Sequence, residues 1–189
     1  MSIKNKCKNV LFQIRIYRVR MGVLLALLCL YFAKPSYYSF ITGIPIIIIG
    51  EIIRVWASGH ILKSSSLTVS GPYSYFRHPL YIGSLLVGIG FTIISHSLIV
   101  IICLVVYFGL FYPVTIIKEE TLLHEKFKDS FNVYKNAVST FFSKKFNWYL
   151  PGRYSQFNPS LFLLNREYRL IITIIIVLIL LYVKMKYLC

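Results

Sequence analysis

Two groups of residues in this chain have the types and spacing for chemistry. The first is the run Gly71-Pro72-Tyr73-Ser74-Tyr75-Phe76-Arg77-His78-Pro79-Leu80-Tyr81-Ile82-Gly83. Pro72 and Pro79 both suit a first helical turn, where no backbone donor is lost. Pro79 also pushes His78 out of the helical region. A helix is therefore predicted from Pro79, with Arg77 and His78 at its mouth. The unpaired N–H groups of that first turn attract anions, and an arginine fork beside them receives a carboxylate well. Tyr73, Tyr75 and Tyr81 offer aromatic faces to a cation. The second group is Glu119-Glu120, two adjacent carboxylates among many cations. They either balance Lys118 and its neighbours or accept hydrogen bonds from the hydroxyl or ammonium groups of a ligand. Charges near a bilayer that face a cavity are functional candidates. Glu51 and Arg54, on an apolar segment, are spaced to pair on one helix face and read as a structural pair.

The elements that position these residues are apolar. The chain is 57% hydrophobic, and the excess lies in five segments: Met21–Ala33, Tyr37–Ala57, Pro79–Ser95, Leu98–Ile117 and Leu170–Val183. A helix needs roughly 20 apolar residues to cross the hydrocarbon, which the second and fourth supply directly. The others borrow flanking residues, tilt or thin the bilayer. After the fourth segment, Phe127, Phe131, Tyr134, Val138 and Phe141 recur in helical rhythm with Lys126, Asp129 and Lys135 between them, predicting an amphipathic helix along the membrane surface. The predicted fold is an all-α integral membrane bundle of four or five transmembrane helices with a cytoplasmic amphipathic helix.

Charge sets the expected orientation. The chain has 21 Lys+Arg against 6 Asp+Glu. In a soluble protein that balance would suggest nucleic acid. Here the cations flank apolar blocks, so the expected partners are membrane lipids and no nucleic acid. Six basic residues precede the first segment and nine lie in Lys118–Arg169. The positive-inside rule therefore puts the N-terminus and the two chemical groups in the cytoplasm. On that scheme the fifth segment leaves Lys184 and Lys186 on the outer side, so it either spans against the rule or lies partly in the interface. Met21–Ala33 has no small-residue cleavage site after it and reads as a retained anchor. Cys7, Cys29, Cys103 and Cys189 form no disulfide framework and no metal spacing.

Taken together, the motifs resemble the isoprenylcysteine carboxyl methyltransferase family, within a membrane methyltransferase superfamily that also includes phospholipid methyltransferases. The resemblance rests on the 71–83 run, on Glu119-Glu120-x-x-Leu123-x-x-x-Phe127 and on Tyr134-Lys135-x-x-Val138, with Gly50-x-x-x-Arg54 and Leu67-x-x-x-Gly71 upstream. It implies one membrane-embedded domain over residues 1–189: a basic N-terminus at 1–20, a catalytic region at 43–142 and a C-terminal extension at 148–189. It implies S-adenosylmethionine as cofactor, with Tyr73, Arg77, His78, Tyr81, Glu119 and Glu120 lining its pocket, and Arg77, His78 and Glu120 as the catalytic set. The implied reaction is methyl transfer to a lipophilic or lipidated acceptor. Carboxyl O-methylation of an isoprenylcysteine-like substrate comes first. Phospholipid N-methylation and an NADPH-dependent sterol-type reductase on the same scaffold are the alternatives, with a non-enzymatic membrane protein behind them. Two departures stand out. The family's arginine one turn before the glutamate pair is Thr115 here, which removes a contact for a substrate carboxylate. Its Phe-Gly is Phe127-Lys128.

Overall fold

The computed structural model of the chain describes residues 20–61, 67–140 and 156–187. Among them the fold is all-helical: α1 (Arg20–Phe32), α2 (Tyr37–Ser58), α3 (Pro79–Ser95), α4 (Leu98–Ala137), α5 (Pro159–Leu164) and α6 (Tyr168–Tyr187), with one 3-10 turn at Gly71–Ser74. By length and composition α2, α4 and α6 are able to cross a membrane, and α1 and α3 are shorter apolar helices. The chain is an all-α membrane protein. α3 has the predicted bounds because Pro79 starts it and His78 caps it in a non-helical conformation. α2 starts at a reciprocal cap, in which Ser36 Oγ accepts from the Ser39 N–H and Ser39 Oγ from the Ser36 N–H.

Without a hydrophobic force between helices in lipid, close packing must hold the bundle. Glycines supply it between α2 and α3. A Cβ at Gly50 would sit 2.8 Å from the Gly83 carbonyl, and one at Gly90 would sit 2.8 Å from that of Gly43. The two antiparallel helices thus touch backbone to backbone. Cys29 of α1 and Ala33 just after it join Phe40, Ile47, Ile94, Ile174, Val177 and Leu181 in one core. The opposite faces of the helices carry exposed Ile48, Ile52, Val105, Ile175 and Ile179. Such faces suit hydrocarbon.

Hydrogen bonds fix the direction of each helix. At one end of the bundle the Lys34 N–H bonds the Ser95 carbonyl at 2.8 Å. There too, Lys184 Nζ donates to the Leu30 and Tyr31 carbonyls at 2.8 Å each. At the other end Asn158 N–H bonds Gly59 O at 3.0 Å, and Asn165 Nδ2 donates to Ser58 O at 2.9 Å, satisfying carbonyls that end α2. Arg54 of α2 pairs there with Glu167, just before α6, at 2.6 Å. α6 therefore runs the length of the bundle, beyond the predicted Leu170–Val183. Lys184 stands at the far end because it caps the exposed carbonyls of α1.

α4 is not one straight rod. Lys128 has φ 42° and ψ −113°, which breaks the helix. Beyond the break the predicted amphipathic rhythm appears: Phe131, Tyr134 and Val138 are buried against Val69, with Phe127 packed beside them. Phe141, the last member of that rhythm, lies outside the described residues.

Candidate functional site

The site forms where the 3-10 turn, the start of α3 and the far part of α4 meet. In a straight helix Glu120 and Lys135 would stand about 22 Å apart at 1.5 Å per residue. Lys135 Nζ is instead 3.0 Å from Glu120 Oε2. The break at Lys128 folds the end of α4 back across the mouth of α3. There Arg77 Nε donates to Val138 O at 2.8 Å and the Arg77 N–H bonds Ser139 O at 3.0 Å. The Tyr134 hydroxyl donates to Tyr73 O at 2.7 Å. The returning segment thus clamps the loop from both sides.

Glu120 is the hub. Arg77 Nη1 donates to its Oε1, His78 Nε2 is 3.4 Å from the same oxygen, and Lys135 holds the other. His78 is buried, and its Nδ1 is 3.6 Å from Glu119 Oε2. Each ring nitrogen therefore faces a carboxylate. Burial of Glu120, which lies past the apolar part of α4 ending at Ile117, works to raise its pKa. The Lys135 hydrogen bond, the Arg77 charge and the His78 contact outweigh this and hold it below the usual carboxylate value. Tyr81 stacks on His78 with ring centroids 5.6 Å apart and meets Tyr112 edge-on at 5.1 Å. Phe108 in turn stacks on Tyr112 at 4.0 Å. An aromatic column thus leads from His78 into the bundle.

Residues 18–130 match the phospholipid methyltransferase family. That range is more than half of the chain and contains both the 71–83 run and the glutamate pair. The chain belongs to the phospholipid methyltransferase family. This family is part of the membrane methyltransferase superfamily that includes isoprenylcysteine methyltransferases. A cobalt-zinc-cadmium resistance protein, CzcN, of Cupriavidus metallidurans is 37% identical over 93 residues, 48% of this chain and 43% of that protein. A nickel-cobalt-cadmium resistance protein, NccN, of Alcaligenes xylosoxydans xylosoxydans is 33% identical over 93 residues, with the same coverage of 48% and 43%. The aligned region spans less than half the length of these curated relatives. No solved structure matches the chain.

For this phospholipid methyltransferase family member the structure brings together Arg77, His78, Tyr81, Glu119 and Glu120. Tyr73 is buried behind them. Its hydroxyl has no hydrogen-bond partner among the described residues, yet lies within electrostatic reach of Glu119 and Glu167. Burial, with the nearby Tyr134, Glu119, Glu167 and Tyr81, pushes its pKa well above the ordinary phenol value, so it stays a neutral donor. Tyr75 stands apart, exposed, with its ring against Trp56 and Phe76. Arg77 differs from the simple anion receptor that its place at a helix mouth suggests, because its fork is already engaged by Glu120 and Val138. Glu167 carries no sequence signal beyond its charge. Tyr134 and Lys135 stood out in the amphipathic rhythm and in the Tyr134-Lys135-x-x-Val138 string, but not as members of the site.

A second cluster lies one turn into α3. Arg54 donates to Leu80 O at 3.1 Å and to Ser84 Oγ, and its main ion pair is with Glu167. The predicted partner Glu51 is 3.8 Å from Arg54 Nε and forms no hydrogen bond. Thr115 is buried, with its hydroxyl given to Phe111 O at 2.6 Å.

The family implies S-adenosylmethionine, and the first cluster suits such a group. Glu119 and Glu120 are acceptors for ammonium or hydroxyl groups, Tyr81 and Tyr112 present aromatic faces to a sulfonium, and the Tyr73 hydroxyl is a buried donor in want of an acceptor.

Proposed function

We propose that the chain is a membrane-embedded methyltransferase that uses S-adenosylmethionine to methylate the amine of a lipid entering from the bilayer. One observation carries the choice of acceptor: His78 is buried with a carboxylate facing each ring nitrogen. A lipid ammonium must lose a proton before its nitrogen lone pair can attack, whereas a carboxylate acceptor needs no base. The Glu119 carboxylate, the more exposed of the two, takes that proton, and His78 between the carboxylates holds it in place.

A carboxylate acceptor would want an unengaged cation. Among the described residues near the cluster, Arg77 is held by Glu120, Arg54 by Glu167, and Thr115 replaces the family's arginine. The family description and the electrostatics therefore favour the amine over the isoprenylcysteine-like acid.

When bound, S-adenosylmethionine would supply a methyl group on a positive sulfur. Tyr73, Glu119 and Glu120 would hold its polar groups, with Arg77 and Lys135 fixing Glu120. Tyr81 and Tyr112 would flank the sulfonium and exclude water. Alignment of donor and acceptor supplies about 7–11 kcal/mol of such a barrier. The test is label transfer from methyl-labelled cofactor, with the full chain in nanodiscs. Label should enter an ethanolamine lipid, not a prenylcysteine acid, and His78→Ala should remove it. Transfer to the acid alone would overturn the amine reading.

A further inference from the structure

The family match ends at residue 130, yet the chain returns to the site-bearing end after it. The Asn158 N–H bonds Gly59 O, and Asn165 Nδ2 donates to the carbonyls of Ser58 at 2.9 Å and Ile61 at 3.2 Å. These contacts seat the start of α6 on the end of α2. They bring Glu167 to Arg54, where Glu167 Oε2 accepts from Arg54 Nη2 at 2.6 Å. The two side chains are only 12% and 11% exposed. A buried ion pair adds little net stability, because desolvation offsets its attraction. Its geometry points to another use.

The other branch of the guanidinium reaches α3. Arg54 Nη1 donates to Leu80 O at 3.1 Å and to Ser84 Oγ, and the Ser84 hydroxyl donates to the same carbonyl at 2.9 Å. Gly83 clears the way, since a Cβ there would sit 2.5 Å from Arg54 Cγ. Leu80 lies in the first turn of α3, between His78 at the cap and Tyr81. Those two rings are the stacked pair of the donor cluster. Arg54 thus grips the turn that carries them.

Glu51 competes for the same guanidinium. It stands three residues back on the helix of Arg54, 3.8 Å from Arg54 Nε. Neither its oxygens nor that Nε has a hydrogen-bond partner among the described residues. Turning the guanidinium toward Glu51 would satisfy both and withdraw Nη1 from Leu80 O. Glu167 opposes that turn by holding Nη2. We propose that Glu167 is a positioning residue for the donor site: it outcompetes Glu51, keeps Arg54 on the first turn of α3, and so sets the His78–Tyr81 stack. The effect on the donor rests on the methyltransferase reading above; the setting of the turn does not.

The test uses Glu167→Gln, Glu51→Gln and the double variant of the full chain in nanodiscs. S-adenosylhomocysteine affinity is read by calorimetry, and amide hydrogen exchange is read in the first turn of α3. Glu167→Gln should weaken binding about tenfold, the worth of one charge-assisted hydrogen bond, and should speed exchange. Glu51→Gln alone should change neither. In the double variant no rival carboxylate remains, so Arg54 returns to Leu80 O. Binding and exchange should then recover while the melting temperature falls further, because the arginine charge is buried unpaired. A purely structural role would move affinity and melting temperature down together. That result, or the same exchange in all four proteins, overturns the proposal. If the double variant does not fold, Ser84→Ala decides, since it removes an acceptor of Arg54 on α3 and keeps every charge. It should weaken binding about fivefold and speed exchange, and unchanged exchange overturns the proposal. No donor binding by the unsubstituted protein rejects the methyltransferase reading, and exchange then judges the setting of the turn by itself.

Discussion

Arg77 and Glu120, 43 residues apart in sequence, meet as a direct ion pair at the mouth of α3. Arg77 is more deeply buried than Lys135, the other cation on Glu120, whose side chain is 49% exposed. The two should not be equal in stability. Lys135→Met removes an ion pair of the exposed kind, worth at most about 1 kcal/mol. Arg77→Ala also strands the Val138 carbonyl and should cost about 1–3 kcal/mol. Thermal denaturation in detergent orders them, and a larger loss from Lys135→Met would contradict this geometry.

Lys128 holds a backbone conformation that glycine favours, with φ at 42°. Lys128→Gly should therefore stabilise the protein by relieving strain of about 1–3 kcal/mol. The melting temperature should rise. A fall would mean that the fold-back of α4 does not need this conformation.

Lys184 caps the end of α1 from α6. Lys184→Met keeps the apolar stem but removes both hydrogen bonds. The expected loss is about 1–3 kcal/mol in stability, with donor affinity unchanged because the site is at the opposite end. An unchanged melting temperature would show that α6 is not anchored this way.

The charge pattern predicts an orientation with the site on the cytoplasmic side. In a cysteine-free background, a membrane-impermeant thiol reagent added outside should label Ser97→Cys in the α3–α4 turn. It should not label Ser160→Cys in α5, which is exposed at the site-bearing end. The reverse pattern would invert the protein.

Much of this was legible from local rules. Pro79 set the start of α3 and the place of His78, and the glutamate pair stood out among cations. What escaped depends on contacts between distant segments. Glu167 sits in an unremarkable charged stretch between Arg166 and Arg169, and only the packing of α6 brings it to Arg54. No glycine or proline flags the break at Lys128, so the return of Lys135 to Glu120 could not be foreseen. The positive-inside rule left α6 ambiguous because Lys184 is used as a helix cap. Glu51 read as half of an intrahelical pair, since its spacing to Arg54 satisfies that rule whether or not a better partner arrives.

The central claim is that Arg77, His78 and Glu120 build a site for the methyl donor. It is tested most directly by titration calorimetry of S-adenosylhomocysteine into the purified full chain, with Arg77→Ala, Glu120→Gln and Lys184→Met alongside. Charge-assisted hydrogen bonds predict roughly ten- to hundredfold weaker binding for the first two variants and unchanged affinity for the third. Absence of binding to the unsubstituted protein, or equal affinity in all four, would contradict the account.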